Sequence, residues 1–393
     1  GLALPAYIWE NDIFATRIND YRKSFLDVLC TSGEIVWNGT PGSGTDWGNL
    51  AFSFREEHIQ FLPLFNQKIE TIPDDETLQK VQNALREKGA IFVHNLSLET
   101  GLPPSSITAA LWRLVWNGTV TNDTFAVIRA GKPAVTTDPH TGQMYSRRGR
   151  RGQRLNRRYR PLEAAGRWTA LSQNSEVKSG HIEILTRQML QRYGLLCREI
   201  YELENWSVPW RTIYDYLIRL EWRGEIQRGY FVHGLSGLQF ALPSAADELL
   251  SSQQRHNSKS DQQSEFILIN SCDPANLYGA ASPLPLIHPL FSEWRFLRHP
   301  NNYLILKNSV PVLAVEARAS RLTPLHALSN NDLVSALRLL PQLLDDPAGW
   351  RRFRVLKIEE WNSQPVHKSE IADRLKDIGF RDEYKQMILE REI

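Results

Sequence analysis

An eight-residue pattern recurs in this chain and restricts what it can fold into. Leu111-Trp112-Arg113-Leu114-Val115-Trp116-Asn117-Gly118 runs into Thr119-Val120, and Leu217-Ile218-Arg219-Leu220-Glu221-Trp222-Arg223-Gly224 runs into Glu225-Ile226. Leu26, Leu29 and Gly33-Glu34-Ile35 repeat the spacing more loosely. Leu111, Leu114 and Val115 make an apolar stripe on one helix face, as do Leu217 and Leu220. Gly118 and Gly224 suit the left-handed conformation that closes a helix. The following residues alternate as a strand, with Phe125–Ile128 and Leu238–Leu242 expected to complete each hairpin. Helix, glycine and strand in this order describe the recognition helix and wing of a winged-helix unit. Three copies point to a tandem array of the kind that holds nucleic acid, or serves as protein-interaction modules.

The first copy has an unusual lead-in. Its helix starts near Asp20 after a segment, Leu2 to Ile18, expected to be extended, and its wing is the Gly-rich stretch Gly39 to Gly48. The unit over 1–71 is therefore expected to be partial or degenerate. The second unit, 72–140, reads as complete. Asp74 and Asp75 cap a helix to Lys88, Ile91-Phe92-Val93 is a short strand, a small helix lies near Ser97, and Ser105 caps the recognition helix. The third unit, 176–250, has helices over His181–Tyr193 and Arg198–Glu204, and Pro209 opens the first turn of the long helix to Arg223.

Between the second and third units, 141–175 reads as a linker with eight arginines and no acid from Arg147 to Arg160: Arg147, Arg148, Arg150, Arg151, Arg154, Arg157, Arg158 and Arg160. Beside winged helices such a block is expected to meet phosphate and release counterions; alone it is a solvated spacer. The Ser/Gln-rich stretch 251–264 reads as a plain linker. From 265 to 393 the pattern changes to buried strands (Phe266–Ile269, Tyr303–Leu306, Val312–Val315, Phe353–Ile358) with helices near 332–344 and 370–378. This is expected to be an α+β, β-barrel-like domain, so the whole chain reads as α+β with tandem winged helices.

The net charge of the 393 residues is only +2, so any basic surface must be local. Three cysteines, Cys30, Cys197 and Cys272, lie far apart and form no C-x-x-C pair, which fits a reducing cytoplasm and no zinc ribbon. No apolar run reaches membrane-spanning length. The absence of Met at position 1 is expected of a trimmed chain.

Several blocks resemble the C-terminal region of Lhr-type large helicases. They are Arg228 to Pro243, Gly166-Arg167-Trp168, Arg192-Tyr193-Gly194-Leu195, Cys272 to Ala280, and Leu111 to Phe125. They occur in family order and cover nearly the whole chain. The resemblance implies a bacterial DNA-repair helicase whose extension carries tandem winged helices and a barrel-like module, similar to AlkZ-type DNA glycosylases. It also implies uracil-DNA glycosylase activity. One departure is large: the chain has no G-x-x-x-x-G-K-[ST] phosphate loop. ATP and Mg are therefore expected only for a motor upstream, and no cofactor or metal for this piece. Expected partners are single-stranded or partly opened DNA, the upstream helicase core and, as an open possibility, a second copy. The expected location is the cytoplasm, on the nucleoid.

A glycosylase must extrude a base and stabilise positive charge on the sugar. Asp273, in a polar block after a buried strand, is the candidate carboxylate, or else the start of an Asp-Pro turn. Gln239 is either a base-edge contact or a satisfied core amide. Asn276 and Tyr278 are pocket candidates, or a turn former and a core aromatic. Glu390 and Glu392 are weaker candidates for that carboxylate, or solvated surface acids. Expected DNA contacts are Arg113, Arg219, Arg167, the Arg147–Arg160 block, His233 in a wing, and Trp47 at a wing tip. Trp116 and Trp222 share one repeat position and are expected to pack in the core. His181 with Glu183 lacks the P-C-x-x-C partner of a deaminase signature.

Overall fold

The computed structural model describes residues 1–40, 48–65, 75–130, 165–171, 176–235, 237–258, 265–279, 293–345 and 354–390, with the backbone of Thr136–Thr137 and Met144–Tyr145. The chain divides into two units. One holds 1–9, 21–181 and 205–208; the other holds 10–20, 182–204 and 209–393.

In the first unit, helix Lys23–Ser32 buries Leu26 and Cys30 and ends at Gly33, whose φ of 82° lies in the left-handed region. It leads into the hairpin Ile35–Thr40 and Asn49–Phe54, paired antiparallel from Ile35 opposite Phe54 to Thr40 opposite Asn49. Ala3–Pro5 adds a third strand beside Asn49–Ala51. Only this short stretch of the expected extended lead-in is a strand; Trp9–Phe14 and Ala15–Arg17 are helical.

Three helices then build the second winged helix: Glu76–Lys88, Val93–Thr100 and Pro104–Trp116. Their stripes meet in a core of Leu78, Val81, Leu85, Leu96, Ile107, Leu111 and Leu114, all buried. Each such side chain contributes roughly 1.5–3 kcal/mol of transfer free energy. Asp75 caps the first helix, its carboxylate accepting from Thr77 N at 3.0 Å and Leu78 N at 3.4 Å. The recognition helix starts one residue before the expected Ser105, with Pro103 as cap residue and Pro104 in the first turn, where its missing N–H costs nothing. The expected strand at 91–93 reduces to one bridge, Ile91 with Trp168.

The wing of this unit departs from the expected hairpin. Val120–Asn122 pairs antiparallel with Trp168–Ala170, whereas Ala126–Ala130 is helical. The reason is local. Asn122 Oδ1 accepts from Thr124 N at 2.8 Å and Thr124 Oγ1 accepts from Ala126 N at 3.2 Å, which turns the chain away from the sheet and caps a helix. Val127 and Ile128 are buried as helix residues, and Phe125 is buried in the turn before them. The end of the expected linker 141–175 is thus a strand of the second winged helix.

In the second unit, helices Ser179–Tyr193, Arg198–Glu202 and Trp210–Trp222 precede a three-stranded sheet. Its central strand, Gln239–Ala241, lies between Leu195–Leu196 and Gln227–Gly229, antiparallel to both. Pro209 is the cap residue of the long helix, and Gly224 has a φ of 73°. Helix Pro243–Ser258 continues into the stretch read as a linker.

The last domain carries a six-stranded sheet in the order Phe266–Asn270, Tyr303–Lys307, Val310–Glu316, Arg321–Pro324, Glu360–Trp361, Gln364–Pro365. All its pairs are antiparallel except Arg321–Leu322 with Glu360–Trp361. The hairpin between Tyr303–Lys307 and Val310–Glu316 turns at Asn308 and Ser309, both at positive φ, as a tight two-residue turn requires. A second sheet orders Val355–Ile358, Gln386–Glu390 and Arg381–Glu383. Both sheets and helix Asn330–Leu337 share one core that includes Ile305, Leu313, Val315, Leu337, Leu356, Ile358 and Met387. The expected helix 332–344 splits ahead of Pro341 into Asn330–Leu337 and a 3₁₀ segment, Leu340–Leu344. The domain is α+β as expected. Its described strands form no closed barrel, because the main sheet ends at Phe266–Asn270 on one side and Gln364–Pro365 on the other. No helix among the described residues is long and apolar enough to cross a membrane.

Candidate functional site

The recurring helix and wing place their shared residues in contrasting surroundings. Arg113 stands on the outer face of Pro104–Trp116 and pairs with the Asp75 carboxylate. Slight burial raises the Asp75 carboxyl, but the hydrogen bonds from Arg113, Leu78 and Thr77 outweigh it and hold it below its usual value. Arg219, at the matching position of the other long helix, is exposed and makes no ion pair among the described residues. Arg167 is half-exposed and bound to Asp123, through Nε to Oδ2 at 2.7 Å and through its backbone N–H to Oδ1 at 2.7 Å. His233 is exposed in the wing turn of the third winged helix. Trp47 and the arginines from Arg147 to Arg160 lie outside the described residues.

The paired tryptophans separate completely. Trp116 stacks on Trp112 with ring centroids 5.9 Å apart, and Trp112 meets the buried Trp168 edge-on at 6.4 Å. The hairpin of the first copy covers it. A Cβ on Gly48 would overlap the Trp116 ring, and one on Gly39 would overlap the Val115 carbonyl oxygen. Thr121 Oγ1 donates to Trp37 O of the same hairpin at 2.6 Å. Trp222, expected in the core, is instead 82 % exposed. Among the described residues nothing takes the place of the glycine hairpin there.

The base-pocket candidates are structural. Gln239 is fully buried, and its Oε1 accepts from Phe231 N at 2.9 Å and Val232 N at 2.8 Å while Nε2 donates to Val232 O at 2.9 Å. The amide is spent on closing the wing, so the base-edge role is corrected to that of a satisfied core amide. Asn276 is buried; its Oδ1 accepts from Tyr278 N at 3.0 Å and its Nδ2 donates to Asn270 O at 3.3 Å. It holds a turn. Tyr278 packs half-buried beside Phe296 and Trp294, and burial pushes its phenol up.

Asp273 sits in this turn, 3 % exposed. Its Oδ1 accepts from Arg17 Nη2 at 2.7 Å and from Ala275 N at 2.8 Å, and its Oδ2 accepts from Arg17 Nη1 at 2.9 Å. Asn276 N donates to Asp273 O at 3.0 Å. Both carboxylate oxygens are engaged, and the geometry is that of a turn anchored by a bidentate ion pair. Arg298 tightens it further, donating to Asn276 O and, at 3.3 Å, to Cys272 O.

Asp273 is one of four buried carboxylates among the described residues, with Glu10, Glu204 and Glu316, and the sequence pattern marks out none of the other three. Glu316 ends the strand Val310–Glu316 and is 5 % exposed. Trp294 Nε1 donates to its Oε2 at 3.1 Å, and Arg321 lies 4.0 Å from Oε1. Burial pushes its carboxyl above the ordinary range, against the opposing effects of Trp294 and Arg321. Trp294 and Tyr278 pack on the same small cluster of Phe296, Leu304, Ala314 and Leu325. Acid–base sites raise carboxylates in this way, and so do buried structural ion pairs. The cleft of about 560 Å³ between Glu359, Glu360, His367, Lys368, Tyr384 and Lys385 is a further opening in this domain. Glu390 is exposed at the end of its strand, and Glu392 lies outside the described residues.

Two family models described as winged-helix domains of the large helicase-related protein match this chain, one over residues 1–62 and one over 176–261. An "Lhr helicase/ probable uracil glycosylase" of Mycolicibacterium smegmatis is 32% identical over 296 residues, 72% of this chain and 19% of that protein. An "Lhr helicase/uracil glycosylase" of Escherichia coli is 29% identical over 308 residues, 74% of this chain and 19% of that protein. The chain thus spans 19% of the length of each of these curated relatives.

Proposed function

The chain belongs to the large helicase-related family, and from that premise we propose that it holds DNA and excises uracil from it as a metal-free glycosylase. The winged helices support the DNA-holding part. The motor, with its ATP and Mg, belongs in this reading to sequence outside these 393 residues, and the protein works in the cytoplasm on opened DNA.

The observation that carries the chemistry is Glu316. Both oxygens of Asp273 are engaged, whereas Glu316 is buried, raised by burial and, among the described residues, holds one hydrogen bond at Oε2 with Arg321 4.0 Å from Oε1. In this reading a flipped nucleotide lies near Trp294 and Tyr278. The Glu316 carboxylate accepts a proton from a water whose oxygen bonds to the sugar C1′. The bond from C1′ to the uracil N1 breaks, and its electron pair leaves with the base. The departing uracil anion takes up a proton from solvent and Glu316 releases the one it accepted, so the products are an abasic site and free uracil.

The test is incubation of the chain with a uracil-containing oligonucleotide, followed by alkaline cleavage. Cleaved product is expected, with a loss of about 100-fold or more in Glu316→Gln. No product above a heat-killed control supports a second reading, a non-catalytic module that positions the motor. That reading has its own support in the fully occupied Asp273.

A further inference from the structure

The exposed end of the third recognition helix is an unoccupied stacking surface, and its relation to the second copy indicates what occupies it. Arg211, Asp215, Arg219 and Trp222 are four, four and three residues apart, so they line one helix face, and all are exposed. Trp222 has no ring contact among the described residues and is 82 % exposed; Tyr230, just beyond the wing strand Gln227–Gly229, is 77 % exposed. Two aromatic rings this bare on one small domain have no role in its core.

Charge around them favours an anion. Of the nearby acids, Glu221 is neutralised by Arg228 at 3.0 Å and Glu225 by Arg187 at 2.7 Å and Arg223 at 2.6 Å, while Asp215, between Arg211 and Arg219 on the same face, offsets one of these two arginines and leaves the face net positive. Arg211 and Arg219 make no ion pair among the described residues. The ion pair of Arg228 with Glu221 ties the wing strand to the helix end, so the wing and Trp222 belong to one surface.

The second copy shows what this indole position accepts. There the planar backbone of Gly39 and Gly48 lies on Trp116, with no room for a side chain. The position selects a flat partner. In the third copy no group among the described residues fills it, and arginines with no ion pair among those residues flank it.

We propose that Trp222 stacks on an unpaired nucleobase while Arg219 and Arg211 hold the adjoining phosphates, which makes this face a single-strand binding surface. Bases in a duplex have both faces covered and cannot stack on a side chain without unwinding. The inference rests on the opened-DNA reading above and assigns to it the surface and residues that hold the unpaired base.

The experiment measures binding of the full chain to a fluorescent oligo(dT) and to a labelled duplex by anisotropy, over a range of salt. Trp222→Ala is expected to weaken oligo(dT) binding about tenfold, Trp222→Phe much less, and duplex binding less than about twofold. Arg219→Ala is expected to reduce the oligo(dT) salt slope by about one. Unchanged oligo(dT) affinity in Trp222→Ala overturns the proposal, and if the oligomeric state shifts at the same time the face is a protein contact. Equal losses for both DNAs also overturn it and place the helix in a groove. If the unaltered chain binds neither DNA, the underlying DNA-holding reading fails as well. Because Trp222 is exposed, its variants are expected to keep the wild-type melting temperature, which confirms that they fold.

Discussion

The second and third winged helices carry the same motif and use it oppositely. In the second, Trp116 lies between Trp112 and the glycines of the preceding hairpin, and Arg113 is tied to Asp75. In the third, Trp222 is bare and Arg219 is unpaired among the described residues. A repeated residue is therefore a repeated position on a helix. Its role depends on what the rest of the chain brings to it.

Stability is the strongest way to break this comparison. Trp116→Ala removes a ring wedged between two elements and is expected to cost about 3–4 kcal/mol, while Trp222→Ala is expected to cost under about 0.5 kcal/mol. Denaturant melts of the two variants check it, and equal losses would remove the distinction. Gly48→Val should behave like Trp116→Ala, because its side chain needs the space of the Trp116 ring.

The first copy, whose hairpin covers Trp116, should also be acid-sensitive. His58, in its helix Arg55–Phe61, is buried with Nδ1 2.7 Å from Ser53 Oγ. Burial first, and then the charge of Arg55, lowers its imidazole from 6.5 to about 4. The unfolded chain takes up this proton as pH falls below about 6.5, and the folded chain resists until about 4. Stability fully present above pH 6.5 is therefore lost across that window, by about 3 kcal/mol. Melts from pH 7 to 4 check it, and His58→Leu should remove most of the slope. A slope that survives in His58→Leu assigns it to other groups.

A smaller effect is expected at the polar turn. Arg17→Ala leaves the Asp273 carboxylate buried with only the Ala275 N–H, at about 2 kcal/mol. Replacing both residues, Arg17→Met with Asp273→Asn, should recover part of that loss. A double variant no better than Arg17→Ala would show that the turn depends on the carboxylate itself.

The sequence made local structure legible and long-range structure less so. Gly33, Gly118 and Gly224 all adopt positive φ where the repeat places them, and the third winged helix, the Asn308-Ser309 turn and the α+β class follow the pattern of apolar residues. The partner of Val120–Asn122 was hidden because it returns after the arginine-rich segment, while Phe125–Ile128, apolar and adjacent, resembled a strand. Asp273 was recognisable as the start of a turn, but its pairing with Arg17, 256 residues away, was not. Glu316 was masked as the polar end of an apolar strand; only its burial and the approach of Trp294 distinguish it.

The contrast between the two recognition helices is tested most directly by amide hydrogen exchange of the chain with and without a single-stranded oligonucleotide. Slower exchange is predicted in peptides spanning Trp210 to Tyr230, with no change from Pro104 to Gly118. Protection of the second helix with none on the third would contradict the assignment of the open tryptophan to nucleic acid and the covered one to the core.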